Sequence, residues 1–217
     1  MVIEKSLYPK TSRIANLCEI TEKIDGSNIQ FFVINYELYM ATREYIISIK
    51  DNENMDWISK VLESSYIGIV EFILKYREFL TNNIYEGSSI IGEWTRNERY
   101  SALIPNSRFV MFAKGRVEKI TSMQPLKREI DFKLTNIVYN QDLLKYAFNE
   151  QCVPNFIELV PLVATSSEYL TIEKLDELYD EYCTKVDRKV EGFVINYNGN
   201  ITKYVRLKGK KLQPHHS

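Results

Sequence analysis

The chain has 217 residues, 45% of them hydrophobic and 26% charged, and its 28 basic against 29 acidic side chains give a formal charge of −1. That composition excludes wholesale disorder and a strongly basic coat for nucleic acid, and its length suits one α+β domain. Cys18, Cys152 and Cys183 are too few and too scattered for a disulfide framework or a zinc site, and the two histidines stand at the end as His215 and His216, so His-dependent triads lack their base. Unpaired thiols, no apolar leader and no run near the roughly 18 apolar residues of a membrane helix lead us to expect a cytoplasmic protein (host cytoplasm if viral) without a membrane partner.

In chain order, segments 29–34 and 38–42 are β-branched and aromatic around a short polar break, which predicts a hairpin. From Asn54 to Leu80 the apolar residues recur at helical spacing, with Gly68 marking a division into two helices. Strands are expected at 89–94, 108–114 and 156–162, and helices at 142–148 and 172–183. At the end, Gly192 to Tyr197 and Asn200 to Leu207 flank Asn198-Gly199, the preferred two-residue turn. That turn sets Glu191 opposite Arg206, Phe193 opposite Tyr204 and Ile195 opposite Thr202. Strict alternation then puts Glu191, Arg206 and Lys208 on one face and Lys203 on the other. Antiparallel strands interspersed with helices make an α+β fold.

The segment Glu22-Lys23-Ile24-Asp25-Gly26-Ser27-Asn28 leads into the first hairpin. Lys-x-Asp-Gly alone also describes an exposed Lys and Asp at a turn closed by Gly26. Further elements follow it in order: Arg43 twenty residues after Lys23, Gly92-Glu93-Trp94, Phe112 within Val110-Met111-Phe112-Ala113, Glu191-Gly192-Phe193-Val194, and the basic pair Arg206-Leu207-Lys208. On pattern alone Phe112 and Trp94 are core residues, and Glu93 and Glu191 are charges on strands.

Taken together, from Lys23 to Lys208, these elements resemble the covalent nucleotidyltransferases, and within them the RNA ligase branch, most closely the type 2 RNA ligases. Asn28 stands where DNA ligases and capping enzymes usually have Arg. Two positions depart from the family pattern: Arg206 replaces a lysine, and Ala113 stands where Asp is frequent.

The resemblance implies antiparallel β-sheets flanked by helices in an ATP-grasp-like nucleotidyltransferase domain of the ligase and capping-enzyme type. It implies that Lys23 forms a lysyl-AMP adduct, passes AMP to an RNA 5′-phosphate and seals it to a 3′-hydroxyl. ATP or AMP would meet Glu22, Ile24, Asn28, Arg43, Glu93, Phe112, Glu191, Arg206 and Lys208, with Asp25 and Gly26 in support. Glu93 and Glu191 would hold Mg²⁺ (or Mn²⁺), directly or through water. A free lysine titrates near 10.4, so attack at neutral pH requires neighbouring cations to lower that value by roughly two to three units; Arg206, Lys208 and the metal are the expected ones.

Residues 1–217 are expected to be a single adenylyltransferase domain with no C-terminal accessory domain, because only residues 209–217 follow Lys208. A weak grip on RNA is then expected, with either a partner subunit that supplies RNA binding or a preference for ends already adenylylated or held by structured RNA. The rival readings are a DNA ligase or capping-type guanylyltransferase, which Asn28 disfavours, and an inactive nucleotide- or RNA-binding protein of the same fold, which the intact Lys23, Glu93, Glu191 and Lys208 disfavour.

Overall fold

The computed structural model describes residues 18–50, 52–95, 108–121, 130–167, 170–197, 199–207 and 210–211. Its first strand, β1 (Cys18–Glu22), precedes the lysine motif and carries two buried acids, Glu19 and Glu22, among five residues. The expected hairpin follows as β2 (Ser27–Ile34) and β3 (Glu37–Ala41), with Phe31 opposite Met40 and Val33 opposite Leu38. Asn35 and Tyr36 form its tip at φ 54° and 61°, and the Glu86 carboxylate accepts from both of their amides. Two positive φ values are what a tight hairpin needs to match the strand twist.

After β4 (Ile46–Ser48), the helical periodicity divides at Gly68, whose φ of 79° suits glycine, into α1 (Asn52–Val61) and α2 (Ile69–Asn83). Three further strands, β5 (Ser88–Trp94), β6 (Phe109–Thr121) and β7 (Ile130–Val138), extend the sheet. The short α3 (Gln141–Leu144) runs into a 3-10 turn at Lys145–Ala147.

The single strand expected over 156–162 is instead two, β8 (Glu158–Leu159) and β9 (Leu162–Ser166), in different sheets. Pro161 lies at the break; it has no amide hydrogen to continue a ladder, and its carbonyl accepts from the Glu22 amide. Helix α4 (Ile172–Lys185) begins at Thr171, whose hydroxyl accepts from the Lys174 amide. The last strands are β10 (Gly192–Tyr197), β11 (Asn200–Leu207) and β12 (Lys210–Lys211).

Among the described residues the strands form two antiparallel-dominated sheets, ordered β4-β3-β2-β5-β6-β7, with β8 parallel to β6, and β12-β11-β10-β1-β9. The α+β architecture is the one expected. One face of the larger sheet packs Phe31, Trp94, Phe109 and Met111 against Ile58, Ile69, Phe72 and Ile73 of α1 and α2. Trp94 is fully buried, as core, with its indole N–H donated to the Ile67 carbonyl.

The smaller sheet lays Ile20, Phe193, Ile195 and Tyr204 against Leu175, Leu178, Tyr179 and Tyr182 of α4. Burying a ring such as Phe193 contributes about 1.5–3 kcal/mol. Because only one face of the smaller sheet is spent on α4, its other face is available to look across at the larger sheet.

Candidate active site

Lys23 follows the last residue of β1, where its amide donates to the Gly192 carbonyl, so the lysine is fixed beside the start of β10. Its ammonium lies 2.5 Å from Oε2 of Glu191, with both side chains mostly covered, 22% and 28% exposed. The chain then turns through Ile24, Asp25 and Gly26 toward the larger sheet. A side chain on Gly26 would stand 2.7 Å from the Trp94 carbonyl, so glycine is what permits this close approach.

Beyond the turn, Asn28 on β2 pairs in register with Glu93 on β5. A cavity of about 340 Å³ between the sheets is lined by Lys23, Ile24, Asp25, Gly26, Asn28, Arg43 and Glu93, together with Phe112, Tyr139, Val160 and Val194. That volume is at the lower end of the range of small-molecule sites.

Glu93 is the most perturbed acid of this group: burial pushes its carboxyl up to about 7, Lys23, Arg43 and Lys203 pull it down, and Glu191 adds to the rise. Its Oε2 is buried with no hydrogen-bond donor among the described residues. An orphaned carboxylate oxygen close to Glu191 is a donor set that fits a hard divalent cation, which accepts a few protein oxygens and completes its shell with water and phosphate. Among the described residues no group of three or more acids, histidines and cysteines is placed to hold a metal, and Glu93 and Glu191 are two acids close enough to act on each other.

At the other end of the cavity the walls are apolar. The Phe112 and Tyr139 rings are nearly parallel, with centroids 6.4 Å apart, and Ile24, Val110, Val160 and Phe112 form a small cluster beneath. Phe112 is only partly buried, so it is a cavity wall and not the core residue its apolar run suggests.

Three placements correct the sequence reading. The hairpin register is as expected, with Phe193 opposite Tyr204 and Ile195 opposite Thr202, yet Arg206 points away from the cavity. Its guanidinium pairs with Asp180 and lies 5.1 Å over the Tyr179 ring, both on α4. Lys203, which alternation sent to the opposite side from Glu191, lines the cavity with Val194, Asn196 and Ile201.

The reason is Gly192. Glu191 precedes the strand, and Gly192 has φ 158° with its Cα pressed so close to β11 that an added Cβ would lie 2.0 Å from the Tyr204 carbonyl. Alternation does not carry through that residue, so Glu191 turns to Lys23 at the edge of the cavity while Phe193 faces α4.

The third correction concerns Glu22. Its carboxylate is fully buried and bound by Arg188 and by the Tyr182 hydroxyl (2.8 Å). Glu22 itself lines the cavity, as expected, but its carboxylate is committed to Arg188 and Tyr182, so its side chain is held away from a ligand. Lys208 lies outside the described residues.

The sequence reading also passed over Glu19, Thr21, Tyr139 and Asn196, all on the cavity wall. Once Phe193 is taken as core-facing, parity along β10 and β11 selects Val194, Asn196, Ile201 and Lys203, so that signal was present. No comparable signal marks Tyr139.

An α+β protein with a lysine-lined cavity of about 340 Å³ between two sheets is thus defined by its own geometry. A sequence model of the RNA ligase family matches residues 17–208, and the chain belongs to that family. No curated protein matches it. Two solved structures, both mutants of the Naegleria gruberi RNA ligase with ATP and Mn, share 16% and 14% identity with TM-scores of 0.40 and 0.36; each alignment covers 88% of this chain and 50% of the other. The chain therefore spans about half the length of those proteins.

Proposed function

We propose that the protein is an ATP-dependent RNA ligase of the type 2 branch, with residues 18–207 forming its adenylyltransferase unit. The observation that carries this reading is the Lys23 ammonium paired at 2.5 Å with Glu191 inside a cavity that also gathers Arg43, Glu93 and Lys203 and ends in the Phe112–Tyr139 wall. In the first step the Lys23 amine gives up its proton and attacks the α-phosphorus of ATP. The N–P bond forms as the bond to pyrophosphate breaks. An oxygen of an RNA 5′-phosphate next attacks the same phosphorus, the N–P bond breaks, and the RNA end carries AMP. A 3′-hydroxyl then displaces AMP and closes the phosphodiester.

Each part of the cavity has a task in that sequence. Arg43 and Lys203 set positive charge where the triphosphate would lie, which stabilises charge developing on its oxygens. Asn28 supplies a neutral amide beside them. Phe112 offers a face for the base, and Val194, on the facing sheet, an apolar counterpart. Glu93 and Glu191 would hold Mg²⁺ or Mn²⁺, which when bound neutralises phosphate charge and orients the leaving group. Asp25 and Gly26 shape the turn that presents Lys23.

The test is direct. Protein incubated with Mg²⁺ and ATP labelled at the α-phosphate should acquire acid-labile label that Lys23→Ala abolishes. Label from GTP instead would indicate capping chemistry, and absence of label with either nucleotide and either metal would indicate a binding protein. Nicked RNA, single-stranded RNA and nicked DNA offered to the labelled protein would then identify the ends it joins.

A further inference from the structure

A second ion pair lies behind the one at Lys23. Glu22, the residue before the lysine, has a side chain 0% exposed, and Arg188, three residues before Glu191, has one only 4% exposed. The two terminal guanidinium nitrogens donate one to each carboxylate oxygen, and the Tyr182 hydroxyl of α4 donates to the same carboxylate. Stability alone does not ask for this arrangement, because an uncharged pair of similar size often holds a fold as well or better. What the planar fork adds is a fixed direction as well as a fixed distance.

Its place in the chain gives that rigidity a use. Residues 186–191 lie outside any helix or strand, and Glu191 stands at the end of that segment. Backbone carbonyls tie the segment to α4 and β11: Val190 accepts from the Tyr179 hydroxyl and Glu191 from the Arg206 amide. The fork ties it by side chains to β1, the strand that delivers Lys23. Arg188 also acts on Glu158 of β8, in the larger sheet; burial is the main influence raising that acid's pKa, with Arg188 lowering it and Glu22 raising it. Arg188 is thus within reach of an acid from each sheet, yet it is not on the cavity wall.

We propose that Arg188 is a positioning residue for adduct formation, which by gripping Glu22 holds the Lys23 amine and the Glu191 carboxylate in the mutual placement from which the amine attacks. A displacement of about 1 Å between reacting groups can cost about a hundredfold in rate. This inference rests on the ligase reading above and extends it to a residue that touches no substrate.

Single-turnover labelling of the full-length protein, across a range of α-labelled ATP concentrations, separates positioning from support. Glu22→Gln combined with Arg188→Met removes both charges together, so the urea midpoint should stay near that of the parent. Arg188→Lys keeps the charge and loses the fork. The labelling rate at saturating ATP should fall about a hundredfold in the paired variant and by a smaller factor in Arg188→Lys. The ATP concentration at half-maximal rate should stay within about twofold of the parent in both. A paired variant that folds and labels at the parental rate would overturn the proposal, since the ion pair would then be support alone. An unchanged maximal rate with a raised half-saturating concentration would also sink it, as the mark of a nucleotide contact. If the paired variant does not fold, Arg188→Lys decides by the same two readings. Parental labelling in both variants removes this inference alone, whereas a parent that takes no label removes the ligase reading together with it.

Discussion

The two faces of the final hairpin use the same kinds of residue for different ends. Toward α4, Phe193, Ile195 and Tyr204 pack into an apolar layer, and the polar groups there are answered: Tyr204 donates to Asp176 at 2.5 Å and Arg206 pairs with Asp180. Toward the cavity, Val194, Asn196, Ile201 and Lys203 stand beside Glu93 and Lys23. Arg206 and Lys203 are two cations three residues apart on one strand. What separates a structural cation from one available to a ligand is whether the neighbouring helix supplies a carboxylate. Asp176 and Asp180, one helical turn apart, supply the α4 face, and that leaves the other face free for the site.

Changes on each side should break this contrast in different measurements. The largest effect is expected behind the hairpin, where Arg188 neutralises the buried Glu22. Arg188→Met leaves that carboxylate unpaired and should cost about 3–5 kcal/mol in urea unfolding. If Arg188→Met instead unfolds at the unaltered midpoint, the pair is not what secures β1 to the segment after α4. On the cavity face, Lys203→Ala should lower the rate of labelled adduct formation by about a hundredfold while leaving the unfolding midpoint close to that of the parent. An unchanged adduct rate would remove Lys203 from the site.

Glu93 should report itself through pH. Its carboxyl titrates near 7 in the folded protein against about 4.5 ordinarily, so the folded state holds the proton more tightly than the unfolded one. Its contribution to stability is therefore complete below about 4.5 and is lost as pH rises through about 7. In chelator, the metal-free protein should lose stability across that interval, and Glu93→Gln should flatten the loss. A parallel slope in the variant would mean that another group is responsible. The smallest effect belongs to Arg206→Ala: the pair with Asp180 is partly exposed, so its loss should cost less than about 1 kcal/mol and leave adduct formation within about threefold of the parent. A hundredfold loss there would restore Arg206 to the nucleotide and undo the distinction between the two faces.

Where local pattern and tertiary demand agree, the sequence was readable. The turn at Asn35–Tyr36, the helix break at Gly68, the buried Trp94 and the register of the last hairpin all follow from short-range rules. β1 was not readable, because Glu19 and Glu22 make its five residues look like a polar connector, and the groups that answer them, among them Asn140, Tyr182 and Arg188, are far away in sequence. The same holds for the cavity. The family resemblance carried by Lys23, Arg43, Glu93 and Glu191 pointed to residues that come together in the fold, the first three on the cavity wall and Glu191 paired with Lys23. Lys203 was misassigned because one glycine, pressed against the neighbouring strand, cancels the two-residue period at the position from which the count began.

The cavity draws its wall from both sheets, with Val194 and Lys203 on the smaller and Asn28, Glu93 and Phe112 on the larger. A nucleotide bound there is consequently a rivet between layers. Saturating ATP should slow amide exchange in β1 and β10 together with β2 and β5, at a hundred times its dissociation constant by about 2.7 kcal/mol of added resistance to opening.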